Sequence, residues 1–301
     1  MKQNESLFKC MLLSCCILVS FSSRAGIKTM NLLRAIRSNF VVLNATGNGG
    51  ALGKCITFHM KNITCDPINV KIDQALIFTP SDLQYQNLAV VGGDSVRLEP
   101  DVAQDLTLRT FCGKSPASSP IRGLKYNFWK QGSPEMVKTM NYIRQNELYN
   151  YVGQHAVWTF TNDHCINTIY SELQPDVSKK LLEFVAKLKH ETVPEYFTLF
   201  QLRDRPGRTM IEPGSGRMYV EMNWGNNHYR NMNVIVYSEN GEVYKSNRGN
   251  ERYDGVTHIF TVSFNPELEK GVYYVELRDD DNKVWSKKQV YIGNETCKMS
   301  G

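Results

Sequence analysis

From about residue 39 onward, much of the chain consists of short segments in which apolar and polar residues alternate. Examples are residues 56–60, 68–72 and 106–111. Because successive side chains of a β-strand point to opposite faces, such alternation is typical of strands that bury one face. Glycine, proline and aspartate separate the segments at short intervals. The pattern therefore predicts antiparallel strands of an immunoglobulin-type β-sandwich rather than a parallel α/β sheet.

Between residues 133 and 189, three segments have the period of a helix instead. Ser133 and Pro134 provide a favourable N-cap and first helical residue. A second segment begins near Gln154, and a third, from about residue 176 to 189, has apolar residues on one face and charged residues on the other. We expect the first two to be helical insertions in the N-terminal sandwich, and the third to link the two domains.

The C-terminal part of the chain returns to alternating segments. Asn240-Gly241 lies between two of them and is a strong signal for a tight hairpin. The Gly271-Val272-Tyr273 stretch, followed by alternating residues, is similar to small sandwich domains that end many exported bacterial proteins. The predicted fold class is therefore mainly β, with an N-terminal β-sandwich carrying helical insertions and a C-terminal immunoglobulin-like β-sandwich.

The N-terminus has the features of an export signal. Lys2 and Lys9 precede a short apolar stretch, and Ala25 offers a small-residue cleavage site. Lipidation at Cys15 is an alternative. No later stretch is apolar for long enough to span a bilayer, so we expect a mature chain without a transmembrane segment, secreted or at the cell surface as part of the cell envelope.

These boundaries divide the chain into five parts, each defined by a change of pattern. They are a signal peptide (1–25), a β-sandwich (26–172), a helical linker (173–192), an immunoglobulin-like β-sandwich (193–293) and a tail (294–301).

Charge and cysteine content limit the functional classes. The formal net charge is +5, and the predicted leader carries part of it, so the mature chain gives no reason to expect nucleic acid as a partner. An odd number of cysteines remains after cleavage, which implies a free thiol, an intermolecular bridge or a cysteine with another role. These cysteines are Cys55, Cys65, Cys112, Cys165 and Cys297.

Cys112 and Gln154 are the candidate functional pair. Cys112 follows Phe111 at the end of an alternating segment, and Gln154 precedes an apolar run that ends in Trp158. A thiol and a carboxamide held together in a dry site can condense with loss of ammonia. The product is an internal thioester, which is an electrophile.

These two windows resemble the thioester domains of bacterial surface adhesins, over about residues 40–170. The shared features are an aromatic residue before Cys112 and a glutamine, Gln154, followed by small or apolar residues and Trp158. The resemblance implies that Cys112 supplies the sulfur and Gln154 the acyl group. An amine or hydroxyl of a partner surface would open the bond, and His155 could accept its proton.

Other interpretations of the same residues remain open. Cys112 could be an ordinary core cysteine, and Gln154 a hydrogen-bonded core amide. Cys112 could also form a disulfide with Cys165 or Cys65, and the sequence does not choose between these partners.

An enzyme is a third interpretation. A cysteine hydrolase would pair Cys112 with His155 or His164 and use Asp163 as the orienting group. However, the sequence contains no nucleophile elbow around a cysteine, no zinc-ligand spacing and no phosphate-binding glycine loop ahead of a helix. We therefore expect a protein that is not an enzyme, with no metal and no cofactor.

A loop in the C-terminal part contains Trp224 and Tyr229 among polar residues. These aromatics are candidates for ligand binding, although Trp224 could instead cover the end of the sandwich.

Together these features predict an exported surface adhesion or binding protein. Its partner would be a host or matrix protein or a glycan surface, and attachment could be covalent through a Cys112–Gln154 thioester. The alternative is a non-catalytic structural or ligand-binding envelope protein with no thioester.

Overall fold

The computed structural model describes residues 27–211, 217–223, 232–247, 250–253, 258–264 and 271–292. Over these residues the protein is mainly β, which confirms the predicted fold class. The predicted signal peptide (1–25), the tail (294–301), Trp224 and Tyr229 lie outside the described residues.

Nine strands form the N-terminal part, and their order follows the alternating segments of the sequence. They are β1 (Lys28–Asn31), β2 (Val41–Asn48), β3 (Gly53–Asn62), β4 (Ile68–Lys71), β5 (Leu76–Pro80), β6 (Leu88–Val90), β7 (Ser95–Leu98), β8 (Ala103–Cys112) and β9 (Arg122–Gln131). A short helix, α1 (Leu32–Arg37), follows β1.

Six of these strands close into a barrel in the order β2-β3-β8-β6-β5-β9, and β1, β4 and β7 form a three-stranded sheet. Register shifts interrupt the β2–β9, β3–β8 and β5–β9 pairings. Such bulges bend a strand and increase its twist, which allows a sheet to curl and close. The alternation of the sequence indicates the strands of the N-terminal β domain, but it does not indicate that six of them close into a barrel.

Helices cover one side of the barrel. They are α2 (Pro134–Gln145), α3 (Tyr151–Thr161) and α4 (Pro175–Lys189), with a 3₁₀ turn at Ile166–Thr168. Ser133 caps α2 as predicted, because its Oγ accepts a hydrogen bond from Met136 N at 3.2 Å.

The two faces of β5, β6 and β8 pack against different clusters. Phe78, Leu88 and Leu108 belong to the barrel core, whereas Ile77 and Phe111 pack against the helices. The two-residue period is the one expected of strands, but the helices bury the second face as well, whereas alternation predicts strands that bury one face.

The helix predicted as a linker is part of this helical layer. In α4, Leu181, Leu182 and Val185 are buried with residues of α2 and α3. The chain then makes the first strand of the C-terminal sheets and returns to the barrel, where Leu202 and Met210 join the barrel core. The segment after α4 is therefore shared between the two halves of the protein.

Asp204 holds this returning segment in place. Its carboxylate accepts hydrogen bonds from Ala51 N at 2.9 and 2.8 Å and from Leu52 N at 3.0 Å. Gly50, just before them, has a φ of +77°, and a Cβ there would lie 2.8 Å from Asp204 Oδ2. Only glycine suits both requirements, so the β2–β3 loop and Asp204 fit each other closely.

The C-terminal part is a sandwich of two four-stranded sheets, ordered β10-β11-β15-β14 and β13-β12-β16-β17. Its strands are β10 (Tyr196–Leu199), β11 (Arg217–Asn223), β12 (Met232–Ser238), β13 (Val243–Asn247), β14 (Asn250–Tyr253), β15 (His258–Phe264), β16 (Gly271–Asp279) and β17 (Val284–Ile292). Val220 of one sheet and Val234 and Val275 of the other lie in its core. The predicted hairpin joins β12 and β13, and Gly241 has a φ of +82°.

We predict that Asp204→Ala lowers the free energy of unfolding by about 2 kcal/mol, since two backbone N–H groups lose a charged acceptor. Urea denaturation followed by circular dichroism measures this change. The control is Glu239→Ala, an exposed carboxylate in the β12–β13 turn, which should leave stability unchanged. Equal midpoints for Asp204→Ala and the control would contradict the role given to Asp204.

Candidate functional site

The structure brings Cys112 and Gln154 together. Cys112 is the last residue of β8, and Gln154 lies in the second turn of α3. Cys112 N donates a hydrogen bond to Gln154 Oε1 at 2.8 Å, and Gln154 Nε2 donates one to Cys112 O at 2.9 Å. Both residues have no solvent-exposed surface. The carboxamide therefore lies directly against the backbone of the cysteine, in a dry site.

The end of β8 explains why an amide is needed there. Pairing of β8 with β3 ends at Thr110, whereas pairing with β6 continues to Cys112. The Cys112 peptide groups therefore lack a strand partner on the β3 side. A buried N–H or C=O without a partner is costly, and the Gln154 amide satisfies one of each.

The start of α3 positions Gln154. Asn150 caps the helix, because its Oδ1 accepts hydrogen bonds from Val152 N at 3.0 Å and Gly153 N at 3.3 Å. Gly153 allows close packing, since a Cβ there would lie 2.2 Å from Leu148 O and 3.0 Å from Phe111 Cζ. The helix can approach the end of β8 only because this position lacks a side chain.

Two N–H groups are directed at the sulfur of Cys112. Trp158 Nε1 lies 3.4 Å from Sγ, and the backbone N–H of Lys114 also donates to it. Burial raises the pKa of the thiol to about 12, although both donors act in the opposite direction. Cys112 as a free thiol is therefore protonated at neutral pH and is a poor nucleophile. This environment does not supply the depressed thiol pKa on which a cysteine hydrolase depends.

The oxidation state of the described cysteines removes one alternative. Cys55, Cys65 and Cys112 are free thiols, and Cys165 is disulfide-bonded. The interpretation that Cys112 pairs with Cys165 or Cys65 is therefore wrong. Its physical basis is position, because Cys112 lies in the barrel core whereas Cys65 is exposed. Cys55 is the other thiol in that core, and burial also raises its pKa to about 12.

The two histidines near the pair occupy different environments. The His155 ring packs against Trp158 at 5.3 Å and Phe200 at 6.2 Å between centroids. Its pKa is lowered to about 3, first by burial and then by the nearby His164. His164 Nε2 is hydrogen-bonded to Ser115 Oγ at 2.9 Å, and Asp163 is exposed. His155 is thus neutral at physiological pH, and its ring contacts Trp158, which in turn contacts the Cys112 sulfur.

Trp158 was identified in the sequence only as part of a motif, not for its contact with sulfur. A signal for this contact exists, because residues four apart lie on the same face of a helix. Gln154 and Trp158 have that spacing and both reach Cys112. Across the described part of the chain, no group of three or more His, Cys, Asp or Glu residues is placed to hold a metal ion.

Comparison with known proteins gives no relative: no family model, no curated protein and no solved structure matches this chain. The resemblance to thioester domains therefore stays a prediction that depends on the Cys112 and Gln154 windows. None of the described helices is long and apolar enough to cross a membrane.

We predict that His155 makes stability depend on pH. Its pKa is about 3 in the folded protein and near 6.5 in an unfolded chain, so below pH 6.5 protons bind preferentially to the unfolded state. His155 therefore leaves the unfolding free energy unchanged above about pH 6.5 and lowers it progressively as the pH falls below that value. Between pH 7.5 and 5, this residue should cost about 2 kcal/mol of unfolding free energy.

Denaturation of the wild type and His155→Phe at several pH values measures the effect. The variant should lose about 2 kcal/mol less than the wild type over this range. His190→Asn, which changes an exposed histidine, is the control and should keep the wild-type slope. A wild-type slope in His155→Phe would contradict the assignment.

Proposed function

We propose that this protein is an exported surface adhesion or binding protein that attaches covalently to its partner through a Cys112–Gln154 thioester. The observation that carries the proposal is the pairing of the Gln154 carboxamide with the Cys112 backbone inside a fully buried site. Partners of this class are a host or matrix protein or a glycan surface, each of which presents amines or hydroxyls.

The contacts fit the chemistry of thioester formation. Cys112 Sγ attacks the Gln154 side-chain carbonyl carbon, the C–N bond breaks, and ammonia leaves with the thiol proton. Oε1 remains in the product. It accepts a hydrogen bond from Cys112 N at 2.8 Å, and this donor stabilises the negative charge that develops on the oxygen during attack.

The same site suits a bond that persists until a partner arrives. Burial excludes the water that would hydrolyse it. When an amine or hydroxyl attacks, a new amide or ester forms on Gln154, and the sulfur leaves and takes up the nucleophile's proton. The N–H groups of Lys114 and Trp158 support the sulfur as charge develops, while the raised thiol pKa slows its departure.

His155 is the candidate that transfers this proton. Its Nδ1 is buried and has no hydrogen-bond partner among the described residues. Burial keeps the ring neutral at physiological pH, which leaves a nitrogen to accept a proton, but the lowered pKa makes it a weak base that can hold the proton only transiently.

The second candidate function is a non-catalytic structural or ligand-binding envelope protein. One observation favours it, because the Gln154 amide already satisfies both backbone groups of Cys112. In this case Gln154 only completes the hydrogen bonds at the end of β8, and Cys112 is a core thiol.

Intact mass spectrometry of the purified protein separates the two. A thioester lowers the mass by one ammonia, about 17 Da, and methylamine then adds about 31 Da as it opens the bond. Cys112→Ala and Gln154→Ala should each have the full mass calculated with the Cys165 disulfide formed, and should not react. Cys55→Ala is the matched control, since it removes the other buried thiol of the barrel core and should keep the ammonia loss.

Full mass in the wild type, with Cys112 alkylated after denaturation, would refute the thioester and leave the binding protein. A loss of about 2 Da beyond that of the Cys165 disulfide, absent from Cys55→Ala, would reveal a disulfide between the two core thiols. That result would also refute the thioester, because Cys112 would already be committed.

A further inference from the structure

A cavity of about 260 Å³ opens next to the residues that follow Cys112. Gly113 and Lys114 line one side of it, and Trp129 and Lys130 of β9 line another. Asn162, just after α3, closes a third side. The cavity is thus built from three elements of the N-terminal domain and lies within one residue of Cys112.

The absence of a side chain at Gly113 allows close packing against Asn87 at the edge of this cavity. A Cβ there would lie 3.2 Å from Asn87 Cβ and 3.4 Å from Asn87 O, which is tighter than ordinary contact. Gly113 N also donates to Asn87 O at 2.7 Å, so the two backbones are held together. A larger residue would have to move Asn87, which lines the cavity.

The cavity is positively charged. Lys114 and Lys130 are the charged residues among its described lining residues, and no carboxylate lies among them. Lys114 Nζ donates to Leu83 O at 3.3 Å, and Lys130 Nζ lies 4.2 Å from the centre of the Trp129 ring. Neither lysine forms an ion pair with a described residue, so both charges are available to an anion.

The uncharged groups suit a ring that carries hydroxyls. Trp129 is 55% exposed, so part of its large apolar surface is available for contact. Among the described residues, the Asn87 side chain makes no hydrogen bond. Asn162 uses only Oδ1, which accepts from Ser115 N and Thr161 Oγ1 at 3.3 and 3.0 Å. Amide donors and acceptors therefore remain for a ligand.

We infer that this cavity is a binding site for an acidic saccharide. A sugar ring contacts the Trp129 indole, its hydroxyls bond to the Asn87 and Asn162 amides, and its carboxylate pairs with Lys114 and Lys130. The volume is slightly below that of typical drug-sized pockets and suits one or two sugar units. The two ammonium groups repel a lysine side chain of a protein partner. This inference does not depend on the thioester.

Titration calorimetry and saturation-transfer NMR on the full chain test the inference. The probes are trigalacturonate and a hyaluronan tetrasaccharide, each compared with its uncharged, carboxyl-reduced form. We expect both acidic probes to bind, the reduced forms to bind at least about 10-fold more weakly, and added salt to weaken binding.

Trp129→Ala and Lys130→Gln should each weaken binding by about 10-fold, because both side chains contact the ligand. Tyr244→Ala is the matched control, since Tyr244 is a similarly exposed aromatic residue of the C-terminal sandwich and its loss should not affect binding. Cys112→Ala should also bind normally, which distinguishes this site from the thioester. Failure of both acidic probes to bind, equal binding of the reduced forms, or unchanged binding in Trp129→Ala would overturn the inference.

Discussion

Two hydrogen bonds between the Gln154 side chain and the Cys112 backbone join the helical layer to the barrel. They form where β8 loses its partner on the β3 side, so they replace the missing strand contacts with a side chain from α3. Asn150 and Gly153 set the start of that helix, and Trp158 continues the contact one turn later at the sulfur. The geometry around Cys112 follows from this single junction.

Burial of the junction has opposite effects on two states of Cys112. As a free thiol, Cys112 is unreactive, because its pKa is raised to about 12 and thiolate is scarce at neutral pH. In the proposed thioester, the same sulfur carries no proton. It can only accept hydrogen bonds, and the N–H groups of Lys114 and Trp158 are placed to donate them. A thiol has a proton to donate, whereas a thioester sulfur only accepts. Both donors are therefore compatible with the thioester that we propose.

The sequence predicted most individual strands and helices because their period is local. The residues of β5, β6 and β8 divide between two faces with a period of two, and the Ser133 cap and the Asn240-Gly241 turn are in place, although burial of the second face under the helices was not predicted. Barrel closure was not predictable, since it depends on bulges that alternation does not encode. The return of residues around Asp204 to the barrel also depends on contacts about 150 residues apart in sequence, which no local pattern reveals.

The sequence hypothesis for the site required Cys112 and Gln154 to lie close together. The hydrogen bonds that hold them together are evident only in the three-dimensional structure. The spacing of Gln154 and Trp158 on one helix face was present in the sequence, but β8 had to end at Cys112 for both to reach it. The cavity at Gly113 likewise combines residues from β9, the end of α3 and the segment after β8.

The most direct measurement is a crystal structure of the untreated protein at a resolution that separates bonded from non-bonded atoms. Our account predicts continuous electron density between Cys112 Sγ and the Gln154 side-chain carbonyl carbon, with no density for Nε2 and with Oε1 still facing Cys112 N. A complete Gln154 carboxamide paired with the Cys112 backbone, and a separate thiol, would contradict it.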